Sequence, residues 1–336
     1  MVFRNTGFII GCMLAFYMPT FLKAQDQQFT QFYNSMVYVN PATVGNESVP
    51  RASFGYRSQW ASLAGNLTGF TGAVDTYFKK YNSGAGILFN SGQGGVGGLY
   101  STDLMAIYSY RVKFKKDWAL NLGMQLGYVF RGGTYYQYVF GDQLYLDGDV
   151  KNSSQENLNQ SKNINYFDTG AGFLLFKEGT QIGVSAYHFT RPNQSVNGGV
   201  DRLPMKISAT FSPRFILDYR ATRTEEYYTS ITPMIYYSWQ GPYQQMSIGA
   251  MYDFTPFQIG LFYRGMPYLS QDGVINSDAI APAVGVRYKG FVFGYSYDIT
   301  ISGLTNQSGG AHEIHLGYVV ESLKPYKPKN RFKKKK

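Results

Sequence analysis

Strict alternation between apolar and polar residues recurs along this 336-residue chain and limits its fold more than any other feature. In residues 119–131 (ALNLGMQLGYVFR) every even position is apolar or aromatic, whereas the odd positions include Asn121, Gly123 and Gln125. Successive side chains of a strand point to opposite faces, so a period of two predicts β-strands with one apolar face and excludes amphipathic helices. The same alternation occurs in residues 246–254, 291–298 and 313–318.

The composition indicates what the apolar faces contact. Aromatic residues make up 17% of the chain and charged residues only 15%, yet the mean hydropathy is slightly negative. Beyond the first 25 residues no apolar run approaches the ~18 residues that indicate a transmembrane helix, and a water-soluble sandwich would carry more charge on its outer faces. These features predict an all-β fold, a transmembrane antiparallel β-barrel with a lipid-facing apolar side, a polar lumen and two aromatic girdles.

We predict a barrel of about 14 strands, an even number as in single-chain bacterial barrels. Short turns, several of them rich in lysine, are predicted to alternate with longer connections, as in barrels that have short periplasmic turns and long outer loops. The longer connections are predicted at residues 90–98, 132–164, 191–202, 266–278 and 300–310. The strands are predicted near residues 50–60, 66–78, 83–90, 98–111, 117–131, 165–176, 180–190, 203–218, 227–239, 243–254, 257–265, 279–288, 290–298 and 311–320.

The first 24 residues have the features of a secretory signal peptide. One positive charge precedes an apolar run over residues 8–22, and Ala24 offers a small residue at which a signal peptidase would cleave. Pro19 interrupts the run, which is shorter than a membrane-spanning helix requires. Cleavage would remove Cys12, the only cysteine, so we expect a mature chain without thiol chemistry or a disulfide.

The net charge of +10 is concentrated at the ends of the chain. Two of these charges belong to the leader and seven to residues 321–336, so the barrel itself is close to neutral. Basic residues confined to a tail argue against nucleic acid as a partner. The tail ends in Lys333, Lys334, Lys335 and Lys336. We predict that it is a basic periplasmic tail, either a solvated charge run or a docking site.

Residues 25–49 are predicted to form a short N-terminal segment ahead of the barrel, which we assign to residues 50–320. Helical spacing places five apolar side chains on one face: Phe29, Phe32, Tyr33, Met36 and Val37. Asn40-Pro41 ends this helix, because a residue before proline is pushed out of the helical region. The aromatic face would pack inside the barrel as a plug or across its periplasmic mouth, and we favour the plug. The candidates for plugging or for binding a partner are Phe29, Phe32, Tyr33, Asn40 and Pro41.

Charged residues at inward-facing strand positions are predicted to line the lumen. Side chains of both signs inside a narrow barrel form networks of salt bridges and hydrogen bonds, which we favour over a conducting pathway. The candidates for this lumen network are Arg57, Asp253, Arg264, Arg287, Asp298 and Glu313.

The sequence offers no set of catalytic, cofactor-binding or metal-binding residues. The three histidines are His188, His312 and His315. Strand alternation sends His312 to the face opposite Glu313 and His315, which leaves only two ligands for a metal ion. We therefore expect no enzymatic activity, no cofactor and no metal.

Two separated stretches resemble the PorP/SprF family of outer-membrane proteins of the Bacteroidetes type IX secretion system. One is QQFTQFYNSMVYVNPATVG (residues 27–45) followed by FGYRSQW (54–60), and the other is GYSYDITISGLTNQSGGAHEIHLGY (294–318). Hairpins between them follow the order of that family, so the resemblance covers nearly all of the mature chain. The NPA triplet at residues 40–42 is also similar to the plug segments of fatty-acid-transporter-like (FadL-like) barrels.

The resemblance implies a non-enzymatic component of type IX protein secretion in the cell outer membrane. Members of the family serve the export of proteins with a C-terminal sorting domain, and SprF-like members serve gliding adhesins. The implied partners are outer-membrane lipid, a secreted surface protein with such a domain, and periplasmic type IX secretion components. The alternative is a FadL-like outer-membrane transporter of small molecules, which a polar lumen disfavours.

Overall fold

The wall of the molecule is one antiparallel sheet whose last strand pairs with its first. A computed structural model describes residues 26–63, 65–95, 98–114, 117–133, 163–196, 199–221, 226–271, 274–302 and 308–320. In these residues hydrogen bonding defines β1 (Arg51–Gln59), β2 (Leu67–Phe78), β3 (Ser83–Gly94), β4 (Leu99–Lys113), β5 (Ala119–Gly132), β6 (Ile164–Lys177), β7 (Thr180–Tyr187), β8 (Lys206–Ser212), β9 (Phe215–Ala221), β10 (Glu226–Gln240), β11 (Tyr243–Phe254), β12 (Phe257–Gln271), β13 (Val274–Tyr288), β14 (Phe291–Thr300) and β15 (Ala311–Val319).

The sheet closes because β15 pairs with β1 along its whole length. β8 and β9 together form one wall strand, since both pair with β10 and the register is unchanged across the break between them, with Phe211 opposite Ile235 and Phe215 opposite Ile231. Pro213, which has no N–H group to donate, lies at the break between them. The barrel therefore has 14 wall strands, which confirms the predicted fold and strand number.

The two ends of the barrel differ in their connections. We term the end at which β1 begins and β15 ends the terminal end, and the opposite end the loop end. Connections at the terminal end are short, such as residues 178–179 between β6 and β7, whereas the loop end includes residues 133–163 and 188–205. This is the predicted alternation.

Two of the predicted long connections are shorter in the structure. β12 continues to Gln271 and β13 begins at Val274, so most of the predicted loop at residues 266–278 is strand. The predicted loop at residues 90–98 is shortened in the same way, because β3 continues to Gly94.

Alternating faces of the wall meet lipid and lumen. In β5 the side chains of Leu122, Met124 and Leu126 are 49%, 62% and 56% exposed on the outside, whereas Asn121 and Gln125 are buried on the inside. The exposed apolar faces are those that the sequence pattern assigns to lipid.

The N-terminal segment, defined here as residues 26–49, lies in the lumen. It contains a single helical turn, α1 (Met36–Val39), followed by a 3-10 turn (Pro41–Thr43). The helix is shorter than the spacing predicts, because residues 30–34 form a separate turn before α1. The backbone N–H groups of Thr30 and Gln31, at the start of that turn, bond to the barrel side chain of Glu313. Buried apolar side chains from both the segment and the wall form the core. Among the described residues, none belongs to a helix with the length and hydropathy needed to span a membrane.

Candidate functional site: the N-terminal segment in the barrel lumen

The N-terminal segment runs through the lumen from the loop end to the terminal end. At the loop end the backbone N–H of Asp26 donates to Gln240 Oε1 at 3.0 Å. Near the terminal end the backbone N–H of Gly45 donates to Asp75 Oδ2 at 2.8 Å, and Arg51 forms an ion pair with the same carboxylate at 2.9 Å. The segment is therefore held at both ends of the barrel.

A buried group of charges, the lumen ion cluster, holds the first turn of the segment. Its members are Thr30, Arg57, Arg264, Asp298 and Glu313. Arg57 contacts Asp298 at 2.7 Å and Glu313 at 3.1 Å, and Arg264 also pairs with Asp298. The hydroxyl of Thr30 accepts from Arg57 at 2.7 Å and from Arg264 at 2.8 Å, and donates to Asp298 at 2.8 Å. Two positive and two negative side chains share this network, so no buried charge in it lacks a partner.

The carboxylate of Glu313 also binds the backbone of the segment. Glu313 Oε2 accepts from Thr30 N at 2.7 Å and Oε1 from Gln31 N at 2.8 Å. The side chain of Gln31 in turn donates to the Glu313 carbonyl at 3.0 Å. Charge-assisted hydrogen bonds of this kind are stronger than neutral ones. One residue on β15 therefore fixes the segment twice, since its carboxylate binds the backbone and its carbonyl binds a side chain.

The Asn-Pro-Ala turn is bonded to the opposite wall. Asn40 accepts from Ala42 N at 2.9 Å through its side-chain oxygen and donates to Phe173 O on β6 at 3.0 Å. Asn121 on β5 donates to Ala42 O at 2.9 Å. Pro41 begins the 3-10 turn, where its missing N–H costs nothing. The Asn-Pro-Ala turn is thus hydrogen-bonded to two adjacent wall strands, β5 and β6.

Inward-facing glycines make room for this turn. A Cβ atom on Gly123 would lie 2.3 Å from Ala42 N, and one on Gly172 would lie 2.3 Å from Asn40 Oδ1. On β7, a Cβ atom on Gly183 would lie 2.8 Å from Asn40 Nδ2. Real Cβ atoms do not approach other atoms this closely. These three lumen-facing glycines, which we term the glycine seat, leave the space that the Asn-Pro-Ala turn occupies.

Aromatic residues of the segment stack on other strands of the wall, β10 and β12. Phe32 stacks on Tyr236 with ring centroids 5.3 Å apart, and Tyr33 stacks on Phe262 at 5.2 Å. Phe29 is buried and packs edge-to-face on Tyr38 at 5.3 Å. Aromatic pairs in such geometry contribute about 0.5–1.5 kcal/mol beyond the area they bury.

An ionic latch at the loop end holds the start of the segment. His188, which follows β7, contacts Asp26 Oδ2 at 2.9 Å and Asp168 Oδ2 at 2.7 Å, and Lys206 contacts Asp26 at 3.2 Å. Burial opposes ionisation of Asp26, but the charges of His188 and Lys206 outweigh it and hold the pKa of Asp26 well below its ordinary value. Burial likewise lowers the pKa of His188, but Asp26 and Asp168 outweigh it and raise that pKa to about 10.

The predicted lumen residues separate into two groups. Arg57, Arg264, Asp298 and Glu313 meet in the lumen ion cluster, whereas Asp253 and Arg287 both bond to Gln258 in a separate network. The predicted basic-tail residues Lys333, Lys334, Lys335 and Lys336, and the predicted leader, lie outside the described residues.

Several residues that fix the segment were not singled out from the sequence. Thr30, Asp26 and Lys206 have no local pattern that marks them, because their partners lie far away along the chain. For Asn121 and Gly123 a signal existed, since both occupy inward positions of the most regular strand. The histidines carry no common site: His312 is exposed and bonds to Tyr295, whereas His315 is buried. In the described part of the chain, no group of three or more His, Cys, Asp or Glu residues is placed to hold a metal ion.

Comparison with known proteins gives one family. A sequence profile of the family described as "Type IX secretion system membrane protein PorP/SprF" matches residues 21–318. No curated protein matches the chain. Among solved structures the chain is similar to the Acinetobacter baumannii outer membrane protein Omp33 (7% identity, TM-score 0.41), with 82% of this chain and 99% of that chain covered. It is also similar to the CymD monoaromatic hydrocarbon channel (11%, 0.46), with 86% and 93% covered. A third is the P. putida toluene transporter TodX (9%, 0.44), with 84% and 91% covered.

Proposed function

Since this chain belongs to the PorP/SprF family of type IX secretion system membrane proteins, we propose that it is a non-enzymatic scaffold of that system in the outer membrane. In this role it binds or anchors secreted proteins with a C-terminal sorting domain, such as gliding adhesins, and links them to periplasmic secretion or motility components. The profile match over residues 21–318 is the observation that carries the proposal.

The filled lumen supports a scaffold in preference to the alternative, a FadL-like transporter of small molecules. The N-terminal segment bonds to strands on opposite sides of the barrel, through Glu313 on β15 and Asn121 on β5 among others. A solute that crossed the barrel would have to pass this segment, which these bonds hold in place. The polar and ionic lining also disfavours the apolar molecules that such transporters carry.

A projecting hairpin supports contact with a partner at the terminal end, which is the periplasmic end in this proposal. β7 begins at Thr180 and pairs with β8 only as far as Ser212, so β9 extends past it. In the described residues β9 pairs with β10 alone. Phe215, Ile216 and Leu217 are 54%, 53% and 62% exposed there. Open strand edges with apolar side chains pair readily with extended segments of other proteins.

Affinity purification of the tagged protein from outer membranes in mild detergent, followed by mass spectrometry, tests the proposal. We expect recovery of a secreted protein with a C-terminal sorting domain or of a periplasmic type IX secretion component. Recovery of the barrel alone, together with uptake of a small solute by liposomes that contain it, would replace the scaffold with the transporter.

A pair of matched variants locates the contact. Leu217→Asp places a charge on the projecting hairpin, and Val200→Asp makes the same change at the loop end, where Val200 is 82% exposed. We expect the first variant to lose the periplasmic partner and the second to keep it. Equal recovery from both variants would remove the hairpin from the proposal and leave the scaffold role standing.

A further inference from the structure

One edge of β9 has no neighbouring strand among the described residues. At the start of this edge the backbone N–H of Arg214 donates to the hydroxyl of Thr180, the first residue of β7, at 3.1 Å. β9 then follows with seven residues. β10, in contrast, is covered by β11 and Thr255 as far as Tyr228. The open edge of the projecting hairpin therefore belongs to β9.

The hydrogen bonds of Tyr228 show which backbone groups of β9 point to the open edge. Tyr228 of β10 lies opposite Tyr219 of β9, and both its N–H and its C=O bond to Thr255 on the β11 side. Directly opposite residues of an antiparallel pair either bond to each other or both point away. The backbone N–H and C=O of Tyr219 therefore point to the open edge, and those of Ala221, two residues further on, do the same.

A side chain occupies the place of a partner strand at this edge. The N–H of Tyr219 donates to Asp218 Oδ1 at 3.0 Å, and Asp218 Oδ2 pairs with Arg220 at 3.1 Å. The side chains of Asp218 and Arg220 are largely exposed, so water screens this ion pair and it contributes little to stability. Charged side chains on an exposed strand edge limit unwanted pairing. The carbonyl of an added strand can therefore replace this carboxylate at little cost.

The two faces of β9 differ, which selects the sequence of an added strand. Ile216 lies opposite Ser230 and Tyr219 opposite Tyr228, and paired residues share a face of the sheet. Ser230 is buried inside the barrel, so this face continues the lumen side past the wall and presents Ile216 and Tyr219 there. The opposite face carries the exposed ion pair. An added strand with alternating apolar and polar residues matches both faces.

A second copy of the chain does not fit this edge. Copies in one membrane share an orientation, so their β9 strands would run in the same direction, which excludes antiparallel pairing. Barrel strands are tilted by about 35–45°, and the facing strands of two copies related by a rotation about the membrane normal would cross at about twice that angle, whereas paired strands differ by about 20–25°. The basic tail also fits poorly, because Pro325 and Pro328 have no N–H to donate. A segment of another protein remains.

We propose that a periplasmic partner adds an extended segment, with alternating apolar and polar residues, to β9 as a further strand. The backbone of the segment bonds to Tyr219 and Ala221, and its apolar side chains pack against Ile216 and Tyr219. Main-chain bonds supply affinity in this mode of recognition, and alternate side chains supply specificity. The inference rests on the proposed scaffold role, because it names the way in which the projecting hairpin holds its periplasmic partner.

Two substitutions of Tyr219 separate strand addition from contact through side chains. Tyr219→Pro removes the side chain and the edge N–H, whereas Tyr219→Ala removes the side chain alone. Neither breaks the ladder with β10, because this N–H points away from it, and proline is tolerated on edge strands in that position. We expect the proline variant to bind the copurified periplasmic partner about tenfold more weakly than the alanine variant, the effect of one lost hydrogen bond, with equal thermal unfolding. Equal binding would overturn the strand addition.

Hydrogen exchange in the wild-type protein gives a test that needs no variant. The amides of Tyr219 and Ala221 should exchange fast in the purified barrel and at least about tenfold more slowly in the complex with the partner. Slow exchange in the barrel alone would mean that its own tail or a second copy occupies the edge, and unchanged exchange in the complex would place the contact elsewhere. Either result would overturn the proposal and leave the scaffold role standing. A purification that recovers no partner would contradict the proposed function itself, and this inference with it.

Discussion

Gly123 of β5 and Ala42 of the N-terminal segment approach so closely that a Cβ atom on Gly123 would stand 2.3 Å from the Ala42 nitrogen. The same strand position thus satisfies two requirements. Its inward direction follows from the alternation of the barrel wall, and its lack of a side chain admits the Asn-Pro-Ala turn. A lumen-facing glycine in such a barrel therefore marks contact with an internal segment as well as a gap in the lining.

Gly123→Ala should displace the turn from its seat. The new methyl group meets backbone atoms of Ala42 and Pro41, which cannot rotate away as a flexible side chain could. We expect a loss of about 1–3 kcal/mol of stability, the usual cost of overpacking, and more frequent opening of the lumen. Thermal unfolding and planar-bilayer conductance measure the two effects. Gly72→Ala is the control, because a Cβ atom there meets only one atom, at 3.9 Å. Equal stability and equal conductance of the two variants would show that the turn does not depend on the missing side chain at Gly123.

Glu313→Gln should weaken the lumen ion cluster. The neutral amide keeps the size of the side chain but leaves Arg57 without the negative charge of Glu313 beside it. The NH2 group of the amide would also face the backbone N–H groups of Thr30 and Gln31, which need an acceptor. Breaking one partner from a buried charge pair costs about 3–5 kcal/mol. We expect a lower midpoint of thermal unfolding and faster proteolysis of the N-terminal segment.

Asp218→Asn is the matched control for Glu313→Gln, because it also replaces a paired carboxylate by its amide. Asp218 pairs with Arg220 at 3.1 Å, but their side chains are 55% and 80% exposed. Exposed pairs contribute only about 0–1 kcal/mol. A drop in stability as large as that of Glu313→Gln would show that the cluster has no special role.

The latch between His188 and Asp26 should make stability fall at alkaline pH. The folded-state pKa of His188 is raised to about 10 from an ordinary 6.5, so the protonated ring is the stabilising form. Its contribution is complete below the ordinary pKa, declines as the pH rises, and is lost above about pH 10. Asp26 acts in the opposite direction, because its lowered pKa keeps its contribution until the pH becomes acidic.

Thermal unfolding between about pH 7 and pH 10 measures this dependence. The wild-type midpoint should fall across the range, whereas His188→Gln should start lower and change less. His312→Gln removes an exposed imidazole outside the latch, and should follow the wild type. Parallel curves for wild type and His188→Gln would exclude the latch as the source of the pH dependence.

The wall of this barrel could be predicted from local sequence, because lipid on one side and lumen on the other impose a period of two. The alternation around Leu122 and Gln125 gives the direction of each side chain, and it holds in the structure. The prediction of a long loop at residues 266–278 is wrong, because most of these residues continue β12 and β13 although several of them are polar.

The interior could be predicted only as a set of candidates. Arg57 meets Glu313 and Asp298 because β1 and β15 close the barrel, and closure brings together residues more than 200 positions apart. The predicted extent of the N-terminal helix is wrong for a related reason. Helical spacing is a local pattern, whereas the residues before α1 are held by Glu313, which no local pattern places beside them.

A disulfide between the N-terminal segment and β1 should be compatible with function if the segment is a fixed part of a scaffold. A Cβ atom on Gly55 would lie 3.5 Å from Ser35 Oγ, so Ser35→Cys with Gly55→Cys brings two sulfurs within bonding range. Thr71 must yield slightly, since its Cγ2 would lie 3.0 Å from the new Cβ. Loss of maleimide labelling in the double variant, but not in either single variant, reports the bond.

Export of sorting-domain proteins by cells that carry the oxidised double variant then separates two mechanisms. A fixed scaffold contacts its partners through surfaces outside the lumen, so the locked barrel should export as well as each single variant and retain the same copurifying proteins. Export that stops on oxidation and returns on reduction would instead require the segment to leave its glycine seat during each cycle. That result would mean that the bonds from Glu313, Asn121 and Asp26 are made and broken in use, and that the filled lumen is one state of a gate.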